Sequence, residues 1–100
     1  MVQATTPTLI LSLPETVDLT QAANVYFTMK QGDSFIRKHG DDLTVSVNTV
    51  YVELSQQETL RFFPGSAELQ LNWTYADGKR ACSDIVILQV GPNLELEVLA

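Results

Sequence analysis

The sequence predicts an all-β protein, an antiparallel β-sandwich of about seven strands, and three observations support this fold class. Apolar residues recur at every second position through most of the 100 residues, which is typical of strands that bury one face. Turn-forming Pro, Gly, Asn or Asp residues interrupt this alternation about every eight to twelve residues. A chain of this length fills only one core. Several short strands around one core favour a sandwich.

The predicted strands follow the alternating segments of the chain. They are Thr8–Leu13, Asn24–Gln31, Ser34–His39, Leu43–Val47, Thr49–Leu54, Ser66–Tyr75 and Lys79–Val90. Two of the turns between them, at 31–33 and 76–78, have Gly where a hairpin requires a positive φ angle. For the second turn we predict a glycine bulge, which places Trp73 opposite Ala81 and Leu69 opposite Ile85.

The segment 55–63 lacks the alternation and predicts one short helical turn. Ser55 precedes Glu58 by three residues, which is the spacing of a capping box. We expect Leu60 and Phe63 to turn inward from this segment and close one end of the sandwich.

Charge and apolar patterning limit the partners. The chain has 12 Asp and Glu residues against 6 Lys and Arg, a net charge of -6, so a nucleic-acid partner is not expected. No apolar run is long enough for a membrane span, and residues 1–7 lack the regions of a secretion signal. We therefore expect no membrane partner and synthesis in a cytoplasm.

The predicted organisation is a flexible N-terminus at 1–7, a sandwich at 8–90 and a tail at 91–100 able to add a strand.

Few residues could carry catalytic chemistry. His39 is the only histidine and Cys82 the only cysteine, so His- or Cys-dependent catalysis would need one of them. The sequence suggests no positioned partner for His39, and we expect Cys82 to be a small buried side chain. Turn formation explains the loop aspartates, because no loop supplies more than two carboxylates for a calcium ion. We predict no enzyme, no cofactor and no metal site.

The closing strand is apolar on both faces. If Ile85 and Ile87 face the core, then Val86, Leu88 and Val90 point outward, which is more apolar surface than a monomer ordinarily exposes on one strand. The tail alternates apolar and acidic residues like a further strand, and it could fold back over this face or extend to a neighbouring subunit. The predicted interface residues are Val86, Leu88, Val90, Leu94, Leu96 and Val98.

The order of these features resembles the N-terminal domain of the phage baseplate upper protein and related prophage-encoded, tail-associated β-sandwich domains. Two segments carry the resemblance, VDLTQAANVYFTMKQGDSFIRK at 17–38 and VYVELSQQETLRFFPGSAELQLNWTYADGKRACSDIVILQV at 50–90. They look like that family in layout: an Asp-Leu-Thr entry to a hairpin, then a strand, a helical turn, a long strand, an Asp-Gly turn and a closing strand. The resemblance implies an immunoglobulin-like β-sandwich that builds virions and has no enzymatic residues. The chain departs from the family in being nearly a stand-alone domain.

Two functions are therefore expected. The first is a non-enzymatic phage or prophage structural protein of the tail or baseplate, assembled in the bacterial host cytoplasm, located in the virion and bound to itself or other virion proteins. The alternative is a carbohydrate-binding or adhesin-like module, in which Tyr26, Tyr51 or Tyr75 stacks on a glycan. Trp73 is expected in the core instead, because it alternates in phase with Leu71.

Overall fold

Two antiparallel β-sheets pack against each other in the computed structural model, which describes all 100 residues. The strands are β1 (Thr8–Ser12), β2 (Asn24–Gln31), β3 (Ser34–His39), β4 (Leu43–Ser46), β5 (Thr49–Glu53), β6 (Gly65–Thr74), β7 (Arg80–Cys82) and β8 (Val86–Val90). One sheet has the order β1-β5-β4; in the other, β3-β2-β6 continues to β7 and β8, which both pair with the far edge of β6. The predicted all-β sandwich is confirmed, with eight strands rather than seven.

Helices are few and short. The α-helix α1 (Gln56–Thr59) connects β5 to β6, and 3-10 helices lie at Leu19–Gln21 and Gly40–Asp42. No helix combines the length and the apolar character that crossing a membrane requires.

The core lies between the sheets and comes from alternate positions of their central strands. Phe27 and Met29 of β2 are buried with Leu71 and Trp73 of β6, and Val52 of β5 joins them from the opposite sheet. The prediction that Trp73 belongs to the core is confirmed. The period-two pattern of the sequence arises because successive side chains of a strand point to opposite faces of the sheet, so alternate residues reach the core.

The hairpin between β6 and β7 has the predicted geometry. Gly78 has a φ of 88°, and the Tyr75 N–H donates to the Lys79 carbonyl over 2.9 Å. Trp73 lies opposite Ala81, so the prediction of a three-residue turn with a glycine bulge is confirmed.

The predicted closing strand is interrupted by one extra residue between β7 and β8. Trp73 pairs with Ala81 in β7, but Leu69 pairs with Val86 in β8, not with Ile85. At the break the Leu71 N–H donates to the Ser83 hydroxyl over 2.9 Å. Side chains alternate with a period of two, so one extra residue turns every β8 side chain to the opposite face.

The predicted outward orientation of Val86, Leu88 and Val90 is therefore wrong. Val90 is part of the core, with 3% of its surface exposed, and Leu88 is half-buried and packs against the core. The outward apolar residue is instead Ile87, which is 57% exposed, and Ile85 before the strand is also exposed. Because Val90 is buried, it offers no exposed surface to a partner.

The short helix begins at the predicted capping box. The Ser55 hydroxyl accepts from the Glu58 N–H over 3.1 Å, and Glu58 Oε1 accepts from the Ser55 N–H over 3.0 Å. The prediction of one short helical turn in this segment is confirmed.

The inward side chain after this helix is Phe62, and the prediction for Phe63 is wrong. Phe62 is fully buried while Phe63 is exposed, and Leu60 is half-buried. The helix tightens at its end, where the Phe62 N–H donates to the Thr59 carbonyl over 3.3 Å. This i to i+3 geometry changes the angle between successive side chains, so α-helical spacing does not identify the buried residue.

Glu58 also joins α1 to β3. Lys38 Nζ lies 3.0 Å from Glu58 Oε1 and donates to the Glu53 carbonyl over 2.8 Å. Partial burial acts to raise the pKa of Glu58, but the hydrogen bond from the Ser55 N–H and the hydrogen bond and charge of Lys38 outweigh it and lower the pKa.

Replacing Glu58 with glutamine is expected to lower the free energy of unfolding by up to about 1 kcal/mol at neutral pH. Because the pKa of Glu58 is lower in the folded protein than in the unfolded chain, this stabilisation is complete above the ordinary value of 4.5 and is lost as the pH falls through the folded pKa. Urea unfolding followed by Trp73 fluorescence should show that the difference in free energy of unfolding between the original chain and the variant shrinks as the pH is lowered below the unfolded pKa. A difference that stays constant with pH would contradict the contribution of the carboxylate charge.

Candidate functional site

A groove of about 610 Å³ opens between the two sheets along one side of the sandwich. Strand β1 forms one wall and β8 the other, and side chains of β6 lie between them. The apolar side chains that line it include Leu9, Leu11, Leu13, Leu69, Val86 and Leu88. The groove is thus an opening into the apolar interior rather than a polar cleft.

The groove is open because the two sheets differ in width. β7 and β8 share one edge of β6, so the larger sheet is four strands wide against three, and β1 is an edge strand of the narrower sheet, with no neighbour on its far side. Val86 lies on the inner face of β8, opposite the buried Leu69, yet it is 49% exposed. A further strand beside β1 would cover it.

The chain's own N-terminus occupies one end of the free edge of β8. The Gly91 N–H donates to the Met1 carbonyl over 2.7 Å, and the Gln3 N–H donates to the Gly91 carbonyl over 3.0 Å. The terminal ammonium of Met1 donates to the Gln89 carbonyl over 3.0 Å. The Gln3 side chain is buried and donates to the Phe62 carbonyl over 2.7 Å. These bonds leave the rest of β8 without a partner on that edge.

The tail forms no strand, and none of its residues lines the groove. The Gln56 side chain holds its end, donating to the Leu99 carbonyl over 2.9 Å and accepting from the Leu99 N–H over 2.8 Å. Asn93 Nδ2 donates to the Gln3 carbonyl over 3.0 Å near its start. The predicted interface residues Leu94, Leu96 and Val98 are all exposed. In this structure they neither cover β8 nor join the core.

A second, more polar groove of about 380 Å³ lies on the outer face of the five-stranded sheet. Tyr26, Arg37, Asn72 and Arg80 contribute to its lining. The Arg37 guanidinium carbon lies 5.1 Å from the centre of the Tyr26 ring, and Arg80 Nη2 donates to Asn72 Oδ1 over 2.9 Å. Two cations therefore stand on one face of a protein whose net charge is -6.

The two residues considered for catalysis also lie on this outer face. The His39 ring packs against Tyr26, with 5.6 Å between the ring centres. Cys82 is exposed, so the prediction that it is buried is wrong. It lies opposite Asn72, which points outward, while its neighbour Ala81 lies opposite the buried Trp73. No three His, Cys, Asp or Glu side chains are placed to hold a metal ion.

The three tyrosines proposed to bind a glycan have different surroundings. Tyr26 lines the outer groove. Tyr75 is half-buried, and its hydroxyl accepts from Trp73 Nε1 over 3.0 Å. Tyr51 is exposed on β5, in the other sheet. The structure does not bring them together into one platform.

No protein-family model matches this chain, and no curated protein or solved structure matches it either.

Proposed function

We propose that this chain is a non-enzymatic assembly module that binds other protein chains through the groove between β1 and β8. The observation that carries the proposal is this opening of about 610 Å³, whose walls include apolar side chains and a strand, β1, with one unpaired edge. In the setting that the resemblance implies, the module belongs to a phage or prophage tail or baseplate. Its partners are then further copies of itself or other virion proteins.

The energetics favour an occupied groove. Fully burying one Leu or Val side chain contributes about 1.5 to 3 kcal/mol, so three such side chains seated here would contribute about 4.5 to 9 kcal/mol. The free edge of β1 adds backbone hydrogen bonds, which fix the direction and register of an added strand. Unpaired edges of this kind are common sites of strand addition.

Light scattering over a wide range of concentrations tests the proposal. We expect a mass above the 11.1 kDa of one chain that rises with concentration. A strict monomer throughout that range, with no loss of solubility, would overturn it.

Two adjacent residues of β8 provide a matched pair of variants. Val86 lines the groove, whereas Ile87 faces the opposite side of the sheet, and their exposures are similar. Val86→Asp is expected to weaken association at least tenfold, because the charge would have to be desolvated in the groove. Ile87→Asp should leave association nearly unchanged. Circular dichroism would confirm that both variants fold, and an equal effect of the two would assign the interface to another surface.

The outer groove favours a second candidate, carbohydrate binding. It combines the Tyr26 ring with the Asn72 amide and the Arg37 and Arg80 guanidinium groups, a mixture of one apolar face and several hydrogen-bonding groups that suits a small ligand. On a glycan array, binding that Asn72→Ala abolishes and Tyr51→Ala preserves would support this function. A blank array would remove it.

A further inference from the structure

We infer that the groove is filled by the C-terminal tail of a second copy, residues 93–99, added as a strand beside β1. This inference rests on the proposed function and names the partner at that same groove. Two observations support it: the tail matches the groove in length and pattern, and its apolar side chains are not buried by its own sandwich.

The tail and the groove have the same length. The walls are strands of five residues, Thr8–Ser12 and Val86–Val90, each about 17 Å long when extended. The segment from Leu94 to Val98 is also five residues, with apolar side chains at its first, third and fifth positions. As a strand it would place all three toward the groove.

The charges of the tail are compatible with this placement. Glu95 and Glu97 alternate with the apolar residues, so in a strand they point to the opposite face, toward solvent. Strand β1 has the sequence TLILS and carries no charge. The two glutamates would therefore meet no like charge on the strand beside them.

The tail of the same chain is poorly placed to fill the groove. It leaves β8 at Gly91, where Met1 and Gln3 already occupy the free edge, so it cannot fold back along β8 as a hairpin. It is held instead near α1 by Gln56. Leu94 is 106% exposed, so the folded monomer gains nothing from burying it.

The expected buried area favours a reciprocal exchange. Three Leu or Val side chains and the surface they cover amount to about 600 Å², which is less than a specific interface needs. Two tails in two grooves bury about 1,200 Å², the lower limit for specific protein complexes. A two-fold dimer, in which each copy donates and accepts one strand, is the simplest closed arrangement.

A single exposed residue of the tail tests the inference in the full chain. Leu96→Asp is expected to raise the dimer dissociation constant at least tenfold in analytical ultracentrifugation. Glu97→Gln, its neighbour on the solvent face, should leave the constant within about twofold, because exposed charges contribute little. A dimer unaffected by Leu96→Asp would overturn the inference, and sensitivity to Val86→Asp would then still leave the proposed function standing. A full chain that is strictly monomeric would overturn both.

Peptide competition gives a second measurement that does not depend on a variant folding. A synthetic peptide of residues 92–100 is expected to dissociate the dimer into monomers with peptide bound. The same peptide with serine in place of Leu94, Leu96 and Val98 should have no effect. Equal effects of the two peptides, or no effect of either, would contradict the assignment of the tail to the groove.

Discussion

Replacing Phe27 with alanine is expected to lower the free energy of unfolding by about 3 to 5 kcal/mol. Phe27 is fully buried in the centre of β2, opposite Leu71 of β6. Truncation would leave a cavity between two sheets whose strands are held in register by backbone hydrogen bonds and cannot collapse into it. Domains are stable by only about 5 to 15 kcal/mol, so this loss would be a large fraction of the total stability.

Urea unfolding followed by the fluorescence of Trp73, which is buried in the same core, measures this loss. Phe35→Ala is the matched control, because Phe35 is a partly exposed phenylalanine of the neighbouring strand β3. Its effect should stay within about 0.5 kcal/mol. Equal losses for the two variants would show that β2 does not have the orientation described.

Replacing Val90 with aspartate is expected to cost more than about 3 kcal/mol, because the carboxylate would be buried without a partner. Val90 is in the core at the end of β8, with 3% of its surface exposed. Ile87→Asp, on the outer face of the same strand and opposite Glu68, should cost no more than about 1 kcal/mol.

This comparison tests the one-residue shift between β7 and β8. Without the shift, Ile87 would face the core and Val90 would face solvent, and the two effects would be exchanged. Thermal unfolding of both variants, monitored by circular dichroism, decides between the registers. A larger loss for Ile87→Asp than for Val90→Asp would contradict the bulge.

Much of this architecture could be predicted from local patterns. The alternation of apolar residues located the strands, and the Asp77–Gly78 pair located a turn whose register the structure confirms. The spacing of Ser55 and Glu58 located the short helix. Each of these features depends on neighbouring residues only, which is why the sequence is sufficient.

The break between β7 and β8 could not be predicted from apolar pattern. Residues 85–90 are apolar on both faces, so either register buries a set of aliphatic side chains and the pattern does not choose between them. At the break the Ser83 hydroxyl accepts a hydrogen bond from the Leu71 N–H, and these two residues are far apart in the sequence. The only local signal is the polar pair Ser83–Asp84 within an otherwise strand-like segment.

The groove depends on still longer-range information. It follows from the unequal number of strands in the two sheets, which no single segment of the chain specifies. For that reason the sequence drew attention to Val86 and Leu88 but gave no sign that Leu9 and Leu11 of β1 face them across an opening. It also assigned Val90 to the surface, which its burial corrects.

The most direct test of the donated strand is an isotope-filtered NMR experiment on a mixture of labelled and unlabelled chains. It detects only contacts between protons of different copies. We expect such contacts between the methyl groups of Leu96 and Val98 in one copy and those of Val86 and Leu88 in the other. Tail methyl groups that contact Val86 only within one copy, or that contact no residue of the groove, would contradict the exchange of strands.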